Sequence, residues 1–162
     1  MDDRVHFASL IFAKDLGIIT QSQVLDAARK RLGETKQPQT WLVELASHGH
    51  AAELVQLISS ADERVYLEAL RLAYRTWIQG KISDARFSAF CGALRKTAGK
   101  QSKWFNNLVW VDDEFGSLER QVAKRGESIK RIRLALQNIL DRPQGSFLAP
   151  PDLIPGQTDE TV

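Results

Sequence analysis

Few residues of this chain have side chains that could take part in bond-making chemistry. His48 and His50 lie two positions apart where a predicted helix ends, and neither a cysteine nor a third histidine stands nearby to complete a metal site. Cys91 lies between Phe90 and Leu94 on a predicted apolar helical face, which favours a buried, inert thiol over a nucleophile. The sequence therefore predicts no catalytic residue, no metal site and no cofactor.

Sequence motifs of the common enzyme classes are also missing. The chain has no P-loop, no Gly-x-Gly-x-x-Gly turn, no metalloprotease motif and no pair of cysteines. It has no strand-rich region that could build the parallel sheet of an α/β enzyme. We therefore predict a binding protein rather than an enzyme.

Two charged regions carry residue types that suit binding. One is an acidic cluster beside a large aromatic side chain, a combination that suits a basic partner surface. Its members are Asp112, Asp113, Glu114 and Trp110. The other is a basic patch whose candidate contact residues are Arg95, Lys96, Lys100, Lys103, Arg120, Lys124 and Arg131. The alternatives are a solvated loop beside core tryptophans and an ordinary charged helix surface.

The positive charge is concentrated in one region of the sequence. Residues 1–80 carry 9 basic and 10 acidic side chains, residues 81–142 carry 13 and 7, and residues 143–162 carry none and 3. A region with a net charge of +6 suits an acidic partner or phosphate groups. No recognition-helix or base-stacking motif accompanies it, so nucleic-acid binding is the less favoured interpretation.

The elements that position these residues are predicted to be helices. From Asp62 to Gly80, apolar side chains cover most of a helical circumference and polar ones form a narrow stripe. Such a helix must be packed on several sides, so a helix over residues 62–79 is predicted at the centre of the fold. Asp62 suits its N-cap and Gly80 the position after its end.

Two stretches share one pattern of helix-ending and helix-starting residues. Gly17-Ile18-Ile19-Thr20 and Gly80-Lys81-Ile82-Ser83 each place a stop glycine, an isoleucine and a hydroxyl N-cap in the same order. Thr20 with Gln23 has the spacing of a capping box. Residues 17–33 and 80–99 are therefore either two related helical hairpins or two helices that obey the same capping rules by convergence.

Together these signals predict an all-α fold. We expect an irregular bundle of about seven helices, the first from Asp3 to about Asp15 and a short one capped by Thr40. The region from Leu118 to Leu140 is predicted to be either one long helix that tolerates Gly126 or two collinear helices that meet there. Residues 1–142 are predicted to form a single helical domain. Residues 143–162 hold four of the five prolines and are predicted to be a tail that is partly docked or disordered.

The single cysteine excludes an intrachain disulfide, and the N-terminal stretch MDDRVHFASLIFAKDLG reads neither as a secretory signal nor as a membrane span. A cytoplasmic location is the default expectation.

One family resemblance lies within residues 16–46. The stretch Leu16-Gly17-Ile18-Ile19-Thr20, then Val24-Leu25 and Ala28, then Trp41-Leu42-Val43-Glu44-Leu45-Ala46, resembles the small helical immunity proteins encoded beside bacterial polymorphic toxins. The resemblance implies a cytoplasmic, non-enzymatic protein that binds one toxin domain tightly and occludes its active site or substrate path. It places no family functional residue on this chain, and the net charge of +2 departs from the acidic character of many such inhibitors of nucleases.

Two other binding functions remain as alternatives. A helical adaptor or regulator that binds a peptide would need an exposed apolar groove. A nucleic-acid-binding regulator acting through residues 81–142 would show an affinity that falls steeply with salt.

Overall fold

The described part of the chain contains only α-helices as regular elements. The computed structural model describes residues 2–60, 62–98, 108, 111, 114–115 and 125–140. Within these ranges there are seven helices and no strand, which confirms the predicted all-α, multi-helix fold. The helices are α1 (Asp3–Asp15), α2 (Gln21–Glu34), α3 (Thr40–His48), α4 (Ala52–Ser59), α5 (Glu63–Ile78), α6 (Asp84–Ala98) and α7 (Arg125–Leu140).

The chain divides into two compact units, Met1–Thr76 and Trp77–Val162, and the boundary falls two residues before the end of α5. The single domain predicted over residues 1–142 stays a prediction. The predicted tail, residues 143–162, lies outside the described residues. Between α6 and α7 the described residues are Leu108, Val111, Glu114 and Phe115, all helical.

In the first unit, α1 packs against α4 and α2, and the short α3 packs against both α2 and α4. All seven residues from Phe7 to Ala13 are buried, so α1 contributes nearly its whole circumference to the core. The Phe7 ring lies 5.6 Å from the Trp41 ring of α3, and the Phe12 ring lies 5.1 Å from the Tyr66 ring of α5. Aromatic contacts therefore connect α1 to two later helices.

Local capping chemistry sets the helix boundaries near the predicted positions. The Thr20 hydroxyl accepts a hydrogen bond from the Gln23 amide at 3.2 Å, and the Gln23 side chain accepts one from the Thr20 amide at 2.8 Å, so the predicted capping box is confirmed. The prediction that Thr40 caps α3 is wrong by one residue. Gln39 is the N-cap, because its extended backbone places its carbonyl to accept the first helical hydrogen bonds.

Helix α5 has the predicted boundaries to within one residue. The Asp62 carboxylate accepts from the Arg64 amide at 3.0 Å at one end, and Gly80 adopts φ 72° after the other. Its seven buried side chains are Val65, Tyr66, Leu67, Ala69, Leu70, Ala73 and Trp77. Within the predicted polar stripe, Glu68 and Arg71 form an ion pair with each other.

In the second unit, α6 buries the face that the sequence predicts, with Phe87, Phe90, Cys91 and Leu94 at most 1% exposed. The Ser83 hydroxyl caps α6 by accepting from the Arg86 amide at 3.1 Å. Because the residue at this third helical position is arginine, the reciprocal half of a capping box has no carboxylate or amide acceptor here. The two similar stretches therefore share their cap but not their full capping chemistry.

None of the helices in the described ranges has the length and apolar character that crossing a bilayer requires.

Candidate partner-binding site

The structure describes one residue of the predicted acidic cluster. Glu114 is helical, and its side chain is 16% exposed. Asp112, Asp113 and Trp110 lie outside the described residues, so their part in a partner-binding surface stays a prediction. Only a small part of the Glu114 carboxylate is therefore available to a partner.

The structure describes three residues of the predicted basic patch. Lys96 is exposed near the end of α6, and Arg95 beside it is half-buried. The Arg95 Nε atom is buried without a hydrogen-bond partner among the described residues. Arg131 has a side chain that is 60% exposed. Lys100, Lys103, Arg120 and Lys124 lie outside the described residues.

The structure brings together one member of each predicted surface. An Arg131 guanidinium nitrogen lies 3.8 Å from a Glu114 carboxylate oxygen, at the outer limit of an ion pair. The Glu114 side chain is largely covered while the Arg131 side chain is largely in water. The pair therefore presents mainly positive charge to solvent.

Helix α7 carries the exposed face on which Arg131 lies. Leu134 is one of the few large apolar side chains that the described residues expose, at 44%. On a helix of 3.6 residues per turn, Lys130, Arg131 and Gln137 all lie within about 60° of Leu134. All three are exposed. Glu127, which is also exposed, lies about 20° from Leu134, so this face has an apolar centre with acidic, basic and polar side chains around it.

Leu134 is a candidate that the sequence analysis missed, although a signal for it exists. The apolar stripe of this region runs through Ile129, Ile132, Leu136 and Leu140, and Leu134 lies off that stripe. The stripe is the buried face, with Ile132 and Leu136 fully buried and Ile129 half-buried. An out-of-phase leucine between charged residues is the pattern that could have identified the exposed face.

The opposite side of α7 is held by an apolar core in the second unit. Ile132, Ala135, Leu136 and Ile139 are at most 2% exposed. The Arg133 guanidinium lies 5.9 Å from the centre of the Trp77 ring, within cation–π range. The exposed face is thus presented by a helix whose rotation is fixed by packing on its other side.

A second candidate lies in the first unit, where a cleft of about 380 Å³ forms between the start of α1, the end of α2 and the start of α3. Its walls include Asp2, Asp3, Arg4, Arg31 and Gln39. Its charges are balanced and engaged with one another. Arg31 lies 2.8 Å from Asp3, and Arg4 lies 3.0 Å from Glu53 of α4 and 3.4 Å from Asp2.

This cleft is polar, and the Asp2 carboxylate is stabilised in its charged form. The backbone amide of Arg4 donates to Asp2 at 2.9 Å, and this hydrogen bond is the main reason why the pKa of Asp2 lies below its ordinary value. The cleft therefore does not offer the apolar groove that the peptide-binding alternative requires.

The residues with potential catalytic or metal chemistry remain dispersed. His48 and His50 are exposed on either side of Gly49, which ends α3 with φ 80°. Cys91 is fully buried on α6. In the described ranges, no group of three or more His, Cys, Asp or Glu side chains is arranged to hold a metal ion.

No protein-family model matches this chain, and no curated protein or solved structure matches it either.

Proposed function

We propose that this chain is a non-enzymatic binding protein, and specifically a cytoplasmic bacterial immunity protein that binds and neutralises a cognate toxin domain. The observation that carries the proposal is the exposure of large apolar side chains on three helices. Val43 on α3, Val55 on α4 and Leu134 on α7 are 41%, 46% and 44% exposed. Apolar anchors surrounded by polar residues are typical of surfaces that bind other proteins.

The segment that resembles immunity proteins supports the proposal. Its helices α2 and α3 pack against each other, while Thr40, Val43, Glu44, Ser47 and His48 of α3 are all exposed. These five positions share one side of the helix, since they are spaced by three, four, seven and eight residues. The segment thus combines a buried side that fixes the fold with a continuous outer side that a toxin domain could cover.

Neutralisation by such a protein requires tight binding and no chemistry of its own. Helices held by capped ends and a packed core lose little conformational entropy when they bind, which favours high affinity. Placed over the active site or substrate path of a toxin, the helical body would exclude substrate sterically.

The test is co-expression with candidate toxin domains encoded by genes adjacent to that of this chain. Cells that carry the toxin domain alone should stop growing, and cells that carry both should grow. The purified pair should form a stoichiometric complex. Leu45→Asp, which places a carboxylate at a fully buried position, serves as the unfolded control that should not protect. If the folded wild-type chain neither protects cells nor binds any of these toxin domains, the proposal is rejected.

A further inference from the structure

We propose that the first turn of α1, residues 3–6, is an electrostatic latch on the cleft of the first unit. Ion pairs to α2 and α4 hold this turn closed, and its release uncovers the cleft floor, the apolar surface formed by Trp41 and Leu42. The inference goes beyond the proposed function, because it concerns how the cleft opens whatever the chain binds.

Neighbouring residues of the turn bridge to two different helices, with opposite charges. The Asp3 carboxylate lies 2.8 Å from the Arg31 guanidinium of α2, and the Arg4 guanidinium lies 3.0 Å from the Glu53 carboxylate of α4. Each arginine also has a second carboxylate, closer to it in sequence, within 3.8 Å. The turn is therefore tied to two of the helices around it by charge.

Apolar packing holds this turn less firmly than the rest of α1. Val5 is its one buried residue, while Arg4 and His6 are exposed and Asp3 is half-buried. The next seven residues, 7–13, are all buried. Opening the turn therefore exposes one valine from α1, while the remainder of the helix stays packed.

The turn covers the cleft floor. The cleft of about 380 Å³ is walled by Asp3 and Arg4 of the turn together with Trp41 and Leu42 of α3. Both floor residues are nearly covered, at 4% and 3% exposure, and the Trp41 indole N–H donates to the Gln39 side chain at 2.7 Å. Outward movement of the turn removes a wall of the cleft, so the released state presents apolar surface that the closed, polar cleft hides.

Ionic strength controls such a latch. The four side chains of the two bridges are between 42% and 48% exposed, so dissolved salt screens their attraction. The burial of residues 7–13 does not depend on charge and stays in place. Salt therefore loosens the first turn before it loosens the rest of α1.

The experiment measures hydrogen exchange of backbone amides and indole N–H groups by NMR on the full-length chain. The amides of residues 6–8 report on the turn, and among them the His6 N–H donates to the Asp2 carbonyl at 3.1 Å. The Trp41 indole N–H reports on the cleft floor, and Trp41→Phe assigns its signal among those of the four tryptophans. The Trp77 indole N–H, which donates to Asp84 in the second unit, is the internal control.

Three variants isolate the bridge to α4. Arg4→Glu places a carboxylate opposite Glu53 and turns attraction into repulsion. Adding Glu53→Arg restores a pair of opposite charges, so the double variant separates the bridge from other effects at position 4. Asp15→Lys is the matched control, because Asp15 is exposed at the other end of α1 and pairs with its neighbour Lys14.

We expect Arg4→Glu to speed exchange of the turn amides and of the Trp41 indole N–H by about threefold to tenfold at low salt. The double variant should return both rates to within about twofold of the wild-type chain. About 1 M sodium chloride should remove most of the difference between Arg4→Glu and the wild-type chain, because the charges are then screened in both. The Trp77 indole N–H in every variant, and all reporters in Asp15→Lys, should stay within about twofold of the wild-type rates.

Three results would overturn the inference. The first is unchanged exchange of both reporters in Arg4→Glu. The second is faster exchange of the turn amides with an unchanged Trp41 indole N–H, which would show that the turn opens without uncovering the cleft floor. The third is equal acceleration of amides throughout the first unit, which would identify a loss of global stability in place of a local opening.

Discussion

Trp77 shows how single side chains hold the second unit together. Its ring stacks on the Phe87 ring with centroids 4.7 Å apart and planes 2° apart, and it meets the Phe115 ring edge-on at 5.6 Å. Its indole N–H donates to the Asp84 carboxylate at 2.7 Å. A buried indole needs an acceptor, and Asp84 supplies a charged one from the first turn of the next helix.

Asp84→Ala should lower the free energy of unfolding by about 1–3 kcal/mol, because it leaves the buried Trp77 indole N–H without its charged acceptor. Asp84→Asn should cost less, since its side-chain oxygen can still accept from Trp77. Chemical denaturation followed by tryptophan fluorescence measures both. Equal losses for the two variants would show that the charge of Asp84, rather than the hydrogen bond, supplies the stability.

A pH-dependent contribution arises at Asp62. Two hydrogen bonds from the Arg64 side chain, at 2.7 and 3.0 Å, are the main reason why the pKa of Asp62 is lowered. A lowered carboxyl pKa stabilises the folded state above the pKa of the unfolded chain, near 3.9, and this contribution is lost as the pH falls through the folded value.

We therefore expect Asp62→Asn to be less stable than the wild-type chain at pH 7, by about 0.5–1 kcal/mol. The difference should shrink toward zero between about pH 4 and pH 2. Urea denaturation at several pH values measures it. In an Arg64→Gln background the pH-dependent difference should be smaller. A difference that stays constant from pH 7 to pH 2 would contradict this account.

At the scale of elements, the two hydroxyl caps allow a direct comparison. Thr20→Ala should destabilise the chain by about 0.5–2 kcal/mol, and Ser83→Ala by a similar or smaller amount, because each removes one acceptor from a helix start. Only Thr20 belongs to a complete capping box, so Gln23→Ala should cost stability while Arg86→Ala should not remove a cap. Ser22→Ala, an exposed position in the same turn, is the control. Thermal unfolding measures all five variants.

Alanine substitutions at three glycines distinguish the energetic cost of a left-handed backbone from the cost of a steric clash. Gly49 and Gly80 have φ values of 80° and 72°, but a Cβ on Gly49 would collide with the Gln21 amide group, whereas a Cβ on Gly80 would meet open space. Gly80→Ala should cost about 1–2 kcal/mol through its left-handed backbone alone. Gly49→Ala should cost more, because the Gln21 side chain, which donates to the Gly49 carbonyl at 3.1 Å, must also move.

Gly33→Ala should stabilise the chain, in contrast to the substitutions at Gly49 and Gly80. Gly33 lies within α2 and its added Cβ would meet nothing within 4 Å. The substitution should raise the free energy of unfolding by about 0.5–1 kcal/mol, since alanine restricts the unfolded chain and favours the helix. Denaturation midpoints test the expected order of stability, with Gly33→Ala the most stable and Gly49→Ala the least.

The fold was more accessible from the sequence than the binding surface, for a physical reason. Helix boundaries depend on neighbours in the sequence, as Thr20 with Gln23 and Asp62 with Arg64 show, and these signals predicted α1, α2 and α5 to within a residue or two. Contacts between distant residues are not encoded in local spacing. The pairing of Glu114 with Arg131 and the exposure of Leu134 depend on how helices pack, and sequence reasoning had assigned the two charged residues to separate surfaces.

At the scale of the whole molecule, the division at Thr76 and Trp77 raises the question of cooperativity. The single domain predicted from the sequence requires one unfolding transition. Leu45→Ala in the first unit and Leu136→Ala in the second each remove a fully buried side chain, at an expected cost of about 2–5 kcal/mol. Both should lower the same transition in calorimetry. Two transitions, each sensitive to one variant, would instead assign two independently unfolding domains.

Cys91 is a natural probe of local opening in this protein. It is the only cysteine in the sequence, and its side chain is fully buried. A maleimide can alkylate it only during moments when the second unit opens, so the labelling rate counts those openings without any engineered tag. A partner that binds the folded chain should make the openings rarer, so slower alkylation of a complex would reveal that the partner is bound.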